Sequence, residues 1–134
     1  MPELKWNETD FIECLEVTPK EEDDVSYFFK VIRNGLCLTL NLFQYDSVVY
    51  FDLYREGNDD PLFSFGLFVR GAIEYKKEKD REYLLFQNAL PVPSSFTYYD
   101  YEEDIRSTED LSYRLDLVLS VNPDIKINFE RYRT

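Results

Sequence analysis

Histidine is absent from this chain. Without an imidazole there is no Ser-His-Asp or Cys-His nucleophile system, no His-ligated zinc and no imidazole proton shuttle, so any catalysis would fall to carboxylates, Lys, Tyr or Cys. Glycine is scarce as well. Four glycines, lying singly at turns or inside strand-like segments, form neither a P-loop nor a Rossmann phosphate cradle. The two cysteines, Cys14 and Cys37, fit no metal-ligand spacing and are too few for a disulfide framework, so reduced, buried thiols are expected. Their sequence neighbours are acidic or apolar, and nothing there lowers a thiol pKa. No apolar run approaches the roughly 20 residues of a membrane helix. The start Met1-Pro2-Glu3-Leu4-Lys5-Trp6-Asn7 carries neither the basic region nor the apolar stretch of a signal peptide, so a cytoplasmic location is expected.

Positive charge is the remaining deficit: 15 basic residues against 27 acidic ones leave a formal charge of −12. Such a surface repels phosphate backbones and anionic headgroups, so neither nucleic acid nor membrane is expected as a partner, whereas a basic protein is attracted. The same charge also keeps an aromatic-rich chain soluble.

What is abundant is material for a core. The 134 residues include eleven Tyr and eleven Phe, and this length suits a single domain, 1–134, with a self-sufficient interior. The segments Val25 to Arg33 and Leu36 to Phe43 flank Asn34-Gly35, the pair that best accepts the two positive φ values of a type I′ turn. In that register Val31 opposes Leu38, Phe29 opposes Leu40 and Tyr27 opposes Leu42. A loop at Gln44-Tyr45-Asp46-Ser47 sets Leu42 against Val49, Leu40 against Phe51 and Leu38 against Leu53. A further loop at Glu56-Gly57-Asn58-Asp59-Asp60 pairs Leu53 with Phe63, Phe51 with Phe65 and Val49 with Leu67. One face stays apolar throughout, a consistency that a wrong register would destroy. A bend at Arg70-Gly71-Ala72 is expected to align Val69 with Ile73 and Leu67 with Tyr75, and a turn at Lys79-Asp80 to align Tyr75 with Leu84 and Ile73 with Phe86.

The opposite face is mixed, with Phe28, Ile32, Cys37, Phe43, Tyr50, Leu62, Phe68, Tyr83 and Leu85 among polar positions. A short amphipathic helix over Thr9 to Val17, with Phe11, Ile12 and Leu15 at helical spacing behind a Thr9 or Asn7 cap, is one element that would cover it. Pro91-Val92-Pro93-Ser94-Ser95 reads as a connection that ends the strands. Farther on, Tyr113, Leu115, Leu117, Leu119 and Val121 alternate with polar residues, and the loop Asn122-Pro123-Asp124 matches Val121 to Ile125, Leu119 to Ile127 and Leu117 to Phe129. The sum is a mainly β fold: an antiparallel meander of about six strands plus a C-terminal hairpin, forming a sandwich or an up-and-down barrel, with a short N-terminal helix.

Three constellations bear on chemistry. Asp59 or Asp60 before Pro61, followed by Glu74-Tyr75-Lys76, superficially resembles the PD-(D/E)xK nuclease pattern, in which two carboxylates hold Mg²⁺ and the lysine assists hydrolysis. Yet Glu74 and Lys76 alternate with core-directed Ile73 and Tyr75 as on any solvated strand face. Three acidic clusters, Glu21-Glu22-Asp23-Asp24, Asp59-Asp60 with Asn58, and Glu102-Glu103-Asp104 with Asp100, would suit Ca²⁺ only if they converged, and their spacing matches no fixed calcium loop. The third is Phe96 to Asp104, where Tyr98, Tyr99 and Tyr101 stand beside Glu102, Glu103 and Asp104. Rigid amphipathic rings next to carboxylates suit an interface with a partner's Lys or Arg.

The resulting expectation is a non-catalytic acidic protein-binding module, without cofactor or metal, that inhibits or regulates a basic partner through Tyr98, Tyr99, Tyr101, Glu102, Glu103 and Asp104. Small, acidic, tyrosine-bearing β domains of this kind resemble bacterial immunity and inhibitor proteins in general character, a likeness of composition alone. Two alternatives stand beside it: a lipocalin-like barrel binding a small hydrophobic ligand, and a metal-dependent hydrolase built on Asp60, Glu74 and Lys76.

Overall fold

The computed structural model describes residues 3–23, 25–95 and 115–131. One helix, α1 (Glu8–Leu15), precedes nine strands: β1 (Lys20–Glu22), β2 (Ser26–Arg33), β3 (Leu36–Phe43), β4 (Val48–Arg55), β5 (Phe63–Val69), β6 (Ile73–Glu78), β7 (Arg81–Val92), β8 (Leu115–Ser120) and β9 (Lys126–Arg131). All nine belong to one antiparallel sheet in the order β1-β2-β3-β4-β5-β7-β8-β9, with β6 paired to β7. It is not a closed barrel. The end strands β1 and β9 do not pair with each other.

The β2–β5 meander carries the register that side-chain alternation predicts. Phe29 opposes Leu40, Leu40 opposes Phe51, and Phe51 opposes Phe65. Asn34 and Gly35 adopt φ of 50° and 82°, as a two-residue type I′ connection requires. The last hairpin likewise sets Leu119 against Ile127 and Leu117 against Phe129.

The inner face is a wall of aromatic and aliphatic side chains that the sheet curls around. Phe51 and Phe65 stack with centroids 4.7 Å apart, Phe51 meets Phe86 of β7 at 5.6 Å, and Phe65 meets Phe129 of β9 at 5.9 Å. Rings from strands that are not neighbours can touch only if the sheet bends back on itself. Helix α1 seals the trough. Its N-terminus is capped by Asn7, whose side chain accepts from the Thr9 N–H at 2.8 Å, with Glu8 and Asp10 favourably placed in the first turn. Its buried residues are Phe11, Cys14 and Leu15, and Phe11 packs on Phe29 at 5.1 Å and Phe86 at 6.1 Å. The helix therefore covers the inner face, not the mixed outer face that the sequence offered it, because the curled wall buries far more apolar surface.

The expected pairing of Val69 with Ile73 and Leu67 with Tyr75 does not occur. Instead β5 and β6 run in the same direction, end to end, along one edge of β7: Val69 opposes Ala89, and Ile73 opposes Phe86. Residues 70–72 do bend at Arg70 and Gly71, as expected, but the chain does not turn back; they are held along β7 by Arg70 N–H to Asn88 O at 3.0 Å and Gly71 N–H to Gln87 O at 3.0 Å. Gly71 is needed there for close approach: a Cβ would lie 2.8 Å from the Gln87 carbonyl oxygen. Opposite it, the β7–β8 register shifts between Phe86 and Ala89. Asn88 takes φ 50° at this bulge, and buried Asp116 accepts its N–H at 3.0 Å.

Two further expectations are corrected. β7 continues through Pro91, which opposes Leu67. Among the described residues the β7–β8 pairing reaches Ala89 opposite Leu115, and β7 runs on through Pro91 along the β5 edge. Glu21 and Glu22, read as loop, form β1 by pairing with Tyr27 and Ser26. No apolar alternation marks this strand, whose residues are all exposed; the backbone of the β2 edge templates it.

Truncation of the wall, Phe51→Ala, is expected to cost about 3–5 kcal/mol in urea unfolding. A loss below about 1 kcal/mol would show that Phe51 is not part of a tightly packed interior. Asp116→Ala, which orphans the Asn88 N–H at the bulge, is expected to cost about 1–3 kcal/mol, measured in the same way.

Candidate functional site

The carboxylates singled out in the sequence are held apart by the strands that carry them. Asp60 lies in the loop before β5 and Glu74 lies beyond its far end on β6, and seven extended residues place roughly 20 Å between such positions. Glu74 instead accepts from Gln87 Nε2 at 2.7 Å and pairs with Lys76 at 3.5 Å. Asn58 Oδ1 is occupied by the Asp60 N–H at 3.0 Å. Among the described residues no three metal-ligating side chains come together. The hydrolase arrangement is thus not assembled. Tyr98, Tyr99, Tyr101, Glu102, Glu103 and Asp104 lie outside the described residues.

Ionisable groups do converge at the closed end of the trough, where α1, β2, β7 and the turn after β8 meet. Arg33 reaches Glu16 at 3.1 Å and Asn122 Oδ1 at 3.4 Å, while Asn122 Nδ2 donates to Glu16 at 2.7 Å and to Glu82 at 3.2 Å. The Tyr75 hydroxyl donates to Glu82 at 2.5 Å. Asn34 of the β2–β3 turn donates to Asp124. These groups satisfy one another, so the cluster reads as a clasp between distant parts of the sheet. Its exposed ion pair alone adds little to stability.

The clasp and the helix explain the state of Cys14. Burial, reinforced by the nearby Glu82 and Glu16 carboxylates, pushes its thiol pKa from 9.0 up to about 12. The hydrogen bond to Glu82, with burial, likewise raises the Tyr75 phenol. Both cysteines are free and buried, as expected from the sequence. A thiol held protonated in this way is a poor nucleophile.

The interior that a lipocalin-like reading would open to a ligand is filled. Phe11, Phe29, Phe51 and Phe86 are among its largest fully buried side chains.

Concavity lies on the outer face instead. Across β2, β3 and β4 the outward residues form a groove of ≈ 450 Å³, with Phe28 and Ile32 on its near wall, Cys37 and Thr39 on its floor, and Tyr54 with the start of the β4–β5 loop on its far wall. Burial, with the Asp52 carboxylate, raises the Tyr54 phenol above its usual range. The outer face farther along is different: Val48, Phe68 and Val92 pack into a small second core with Tyr50 and Leu90. Gly66 permits that contact, since a Cβ there would lie 2.8 Å from Val92 Cγ2. The sequence signal for the groove was the run Phe28-Phe29-Lys30-Val31-Ile32, in which Phe28 and Ile32 point away from the core.

No family model matches the chain, and no curated protein matches it in sequence. Its fold is similar to a chain of the contact-dependent growth inhibition toxin–immunity protein complex from Klebsiella pneumoniae 342. The TM-score is 0.69 at 13% identity, over 97% of this chain and 98% of that one. At that identity the likeness is one of fold.

Cys14 is expected to resist iodoacetamide at about pH 8 in the folded protein and to react once urea exposes it. Rapid modification of native Cys14 would contradict its burial. Between 9.0 and about 12 the folded state keeps a thiol proton that the unfolded state releases, so stability should fall as pH rises through that window. Cys14→Ala should flatten the slope, as read by urea midpoints across that range.

Proposed function

We propose that this chain is a non-catalytic inhibitor module that binds and neutralises a basic protein, in the manner of an immunity protein. The observation that carries the reading is the whole-length fold likeness to a chain of a toxin–immunity protein complex. The formal charge of −12 supports it, because complementary charge speeds encounter and fixes orientation against a cationic partner. The separation of Asp60 from Glu74 and the protonated, buried thiol of Cys14 support a binding role over chemistry. We place the encounter in the cytoplasm, where both thiols stay reduced, and retain Tyr98, Tyr99, Tyr101, Glu102, Glu103 and Asp104 as proposed contacts.

The test is reconstitution. The tagged chain, passed over lysate of its source cells, is expected to retain a stoichiometric partner of net positive charge whose own activity falls when the chain is added back. Affinity should weaken about tenfold or more on moving from low to high salt. Retention of no partner, or of one whose activity is untouched, removes the reading. Tyr99→Ala combined with Glu102→Lys should weaken the complex by about tenfold, or about 1.4 kcal/mol, in titration calorimetry. Unchanged affinity would take the 98–104 segment out of the interface and leave the rest standing.

A further inference from the structure

We propose that the outer groove across β2, β3 and β4 is a docking surface for a basic protein that inserts an apolar side chain between two cationic clusters. The inference rests on the inhibitor reading and assigns it a surface.

The first argument is that no described element packs over this part of the sheet. Alternation sends Phe28 and Ile32 outward from β2, and they remain 37% and 43% exposed. Helix α1, which would cover them in a two-layer fold, is committed to the inner wall through Phe11 and Leu15. Between the two apolar walls the floor is already dry: Cys37 and Thr39 face outward yet are only 8% and 9% exposed. A concave, partly desolvated floor between exposed apolar side chains is the form of an interface centre, which contributes most of the binding free energy once a partner excludes the remaining water.

The second argument is the placement of charge. Glu22, opposite outward-facing Ser26, and Asp23 stand at one end of β2. Glu56, Asp59 and Asp60 stand at the other, in the loop that leaves β4 beside the β2–β3 turn; the Glu56 N–H bonds to the Gly35 carbonyl at 2.8 Å. Eight extended residues of β2 separate the two clusters by roughly 25 Å. Lys20, Lys30 and Arg55 are set among these five carboxylates, and Arg33 at the end of β2 is taken up by Glu16. By contrast, the β6–β7 hairpin from Glu74 to Glu82 balances Lys76, Lys77, Lys79 and Arg81 against Glu74, Glu78, Asp80 and Glu82. Charge retained only for solubility would have no reason to bracket the apolar groove at both ends. The complement is a surface with Lys or Arg clusters at that separation and an apolar anchor between them. Lys30, between Phe28 and Ile32, offers its stem to the anchor and its ammonium to a backbone carbonyl of the partner.

The test uses a defined probe: a capped peptide of about sixteen residues, long enough when extended to span both clusters, with two lysines at each end and tryptophan and leucine at its centre. Amide NMR of the full chain is expected to place its shifts on Phe28, Ile32, Thr39, Tyr54 and the 56–60 loop. A control peptide with serines at its centre should bind at least tenfold more weakly. Phe28→Ser with Ile32→Ser should weaken the first peptide at least tenfold, as should Glu56→Lys with Asp59→Lys. All four positions are at the surface, and unchanged dispersion of the remaining amides reports that the fold is kept. Failure of the peptide to bind, equal binding by either double variant, or shifts that fall elsewhere, at 98–104 included, overturn the groove. The inhibitor reading is judged separately, by the partner it retains.

Discussion

The packing of Phe51 against Phe65 on one side and Phe86 on the other sets the shape of this molecule. Phe51 lies on β4 and Phe86 on β7, with β5 between them, so their contact exists only in a sheet bent tightly about its inner face. Burial of rings of this size is the dominant favourable term available to the chain. The bend that achieves it leaves a trough, which Phe11 and Leu15 of a short helix complete.

The strain of that curvature is localised. A regular strand cannot follow a tightly curled sheet without a change of twist, and β-bulges supply it. Here the interruption falls on both partners at once, at residues 70–72 and at Asn88, with Gly71 allowing the backbones to touch and Asp116 satisfying the displaced N–H. The interruption also carries the chain from β5 straight into β6 along the same edge of β7. One consequence is chemical: Asp60 and Glu74 are placed at opposite ends of a strand, and the carboxylate pair of a metal-dependent hydrolase is never formed. Another concerns the surface. With the helix used inside and Val48, Phe68 and Val92 closing one half of the outer face, Phe28 and Ile32 are left facing solvent between two acidic ends.

The proposal that this chain inhibits a basic protein gives this surface a context. A module that works by occupying a cationic partner requires a rigid platform and the right charge, and it requires no catalytic group. A filled aromatic interior provides rigidity, and the surplus of carboxylates provides attraction. Histidine would add nothing to either requirement.

Alternation of side chains was enough to assign the inner face from Tyr27 to Leu67 and the final hairpin residue by residue, and Asn34-Gly35 was enough to assign the first turn. These features are local, because side chains two residues apart share a face and a turn's φ values select its residues. A cap at Asn7 or Thr9 and the exclusion of imidazole chemistry were legible for the same reason, and the structure selects Asn7. Long-range features were settled only when the chain had packed: the end-to-end run of β5 and β6, the passage of β7 through Pro91, the templating of charged β1 on an edge, and the side of the sheet on which the helix rests. Gly71 marks the limit, since a glycine that merely bends the chain and one that must let the Gln87 backbone approach look identical until Gln87 is in place. The groove belongs to the second class, for whether an outward-pointing apolar residue forms part of a surface depends on where the described helix and the neighbouring strands have packed.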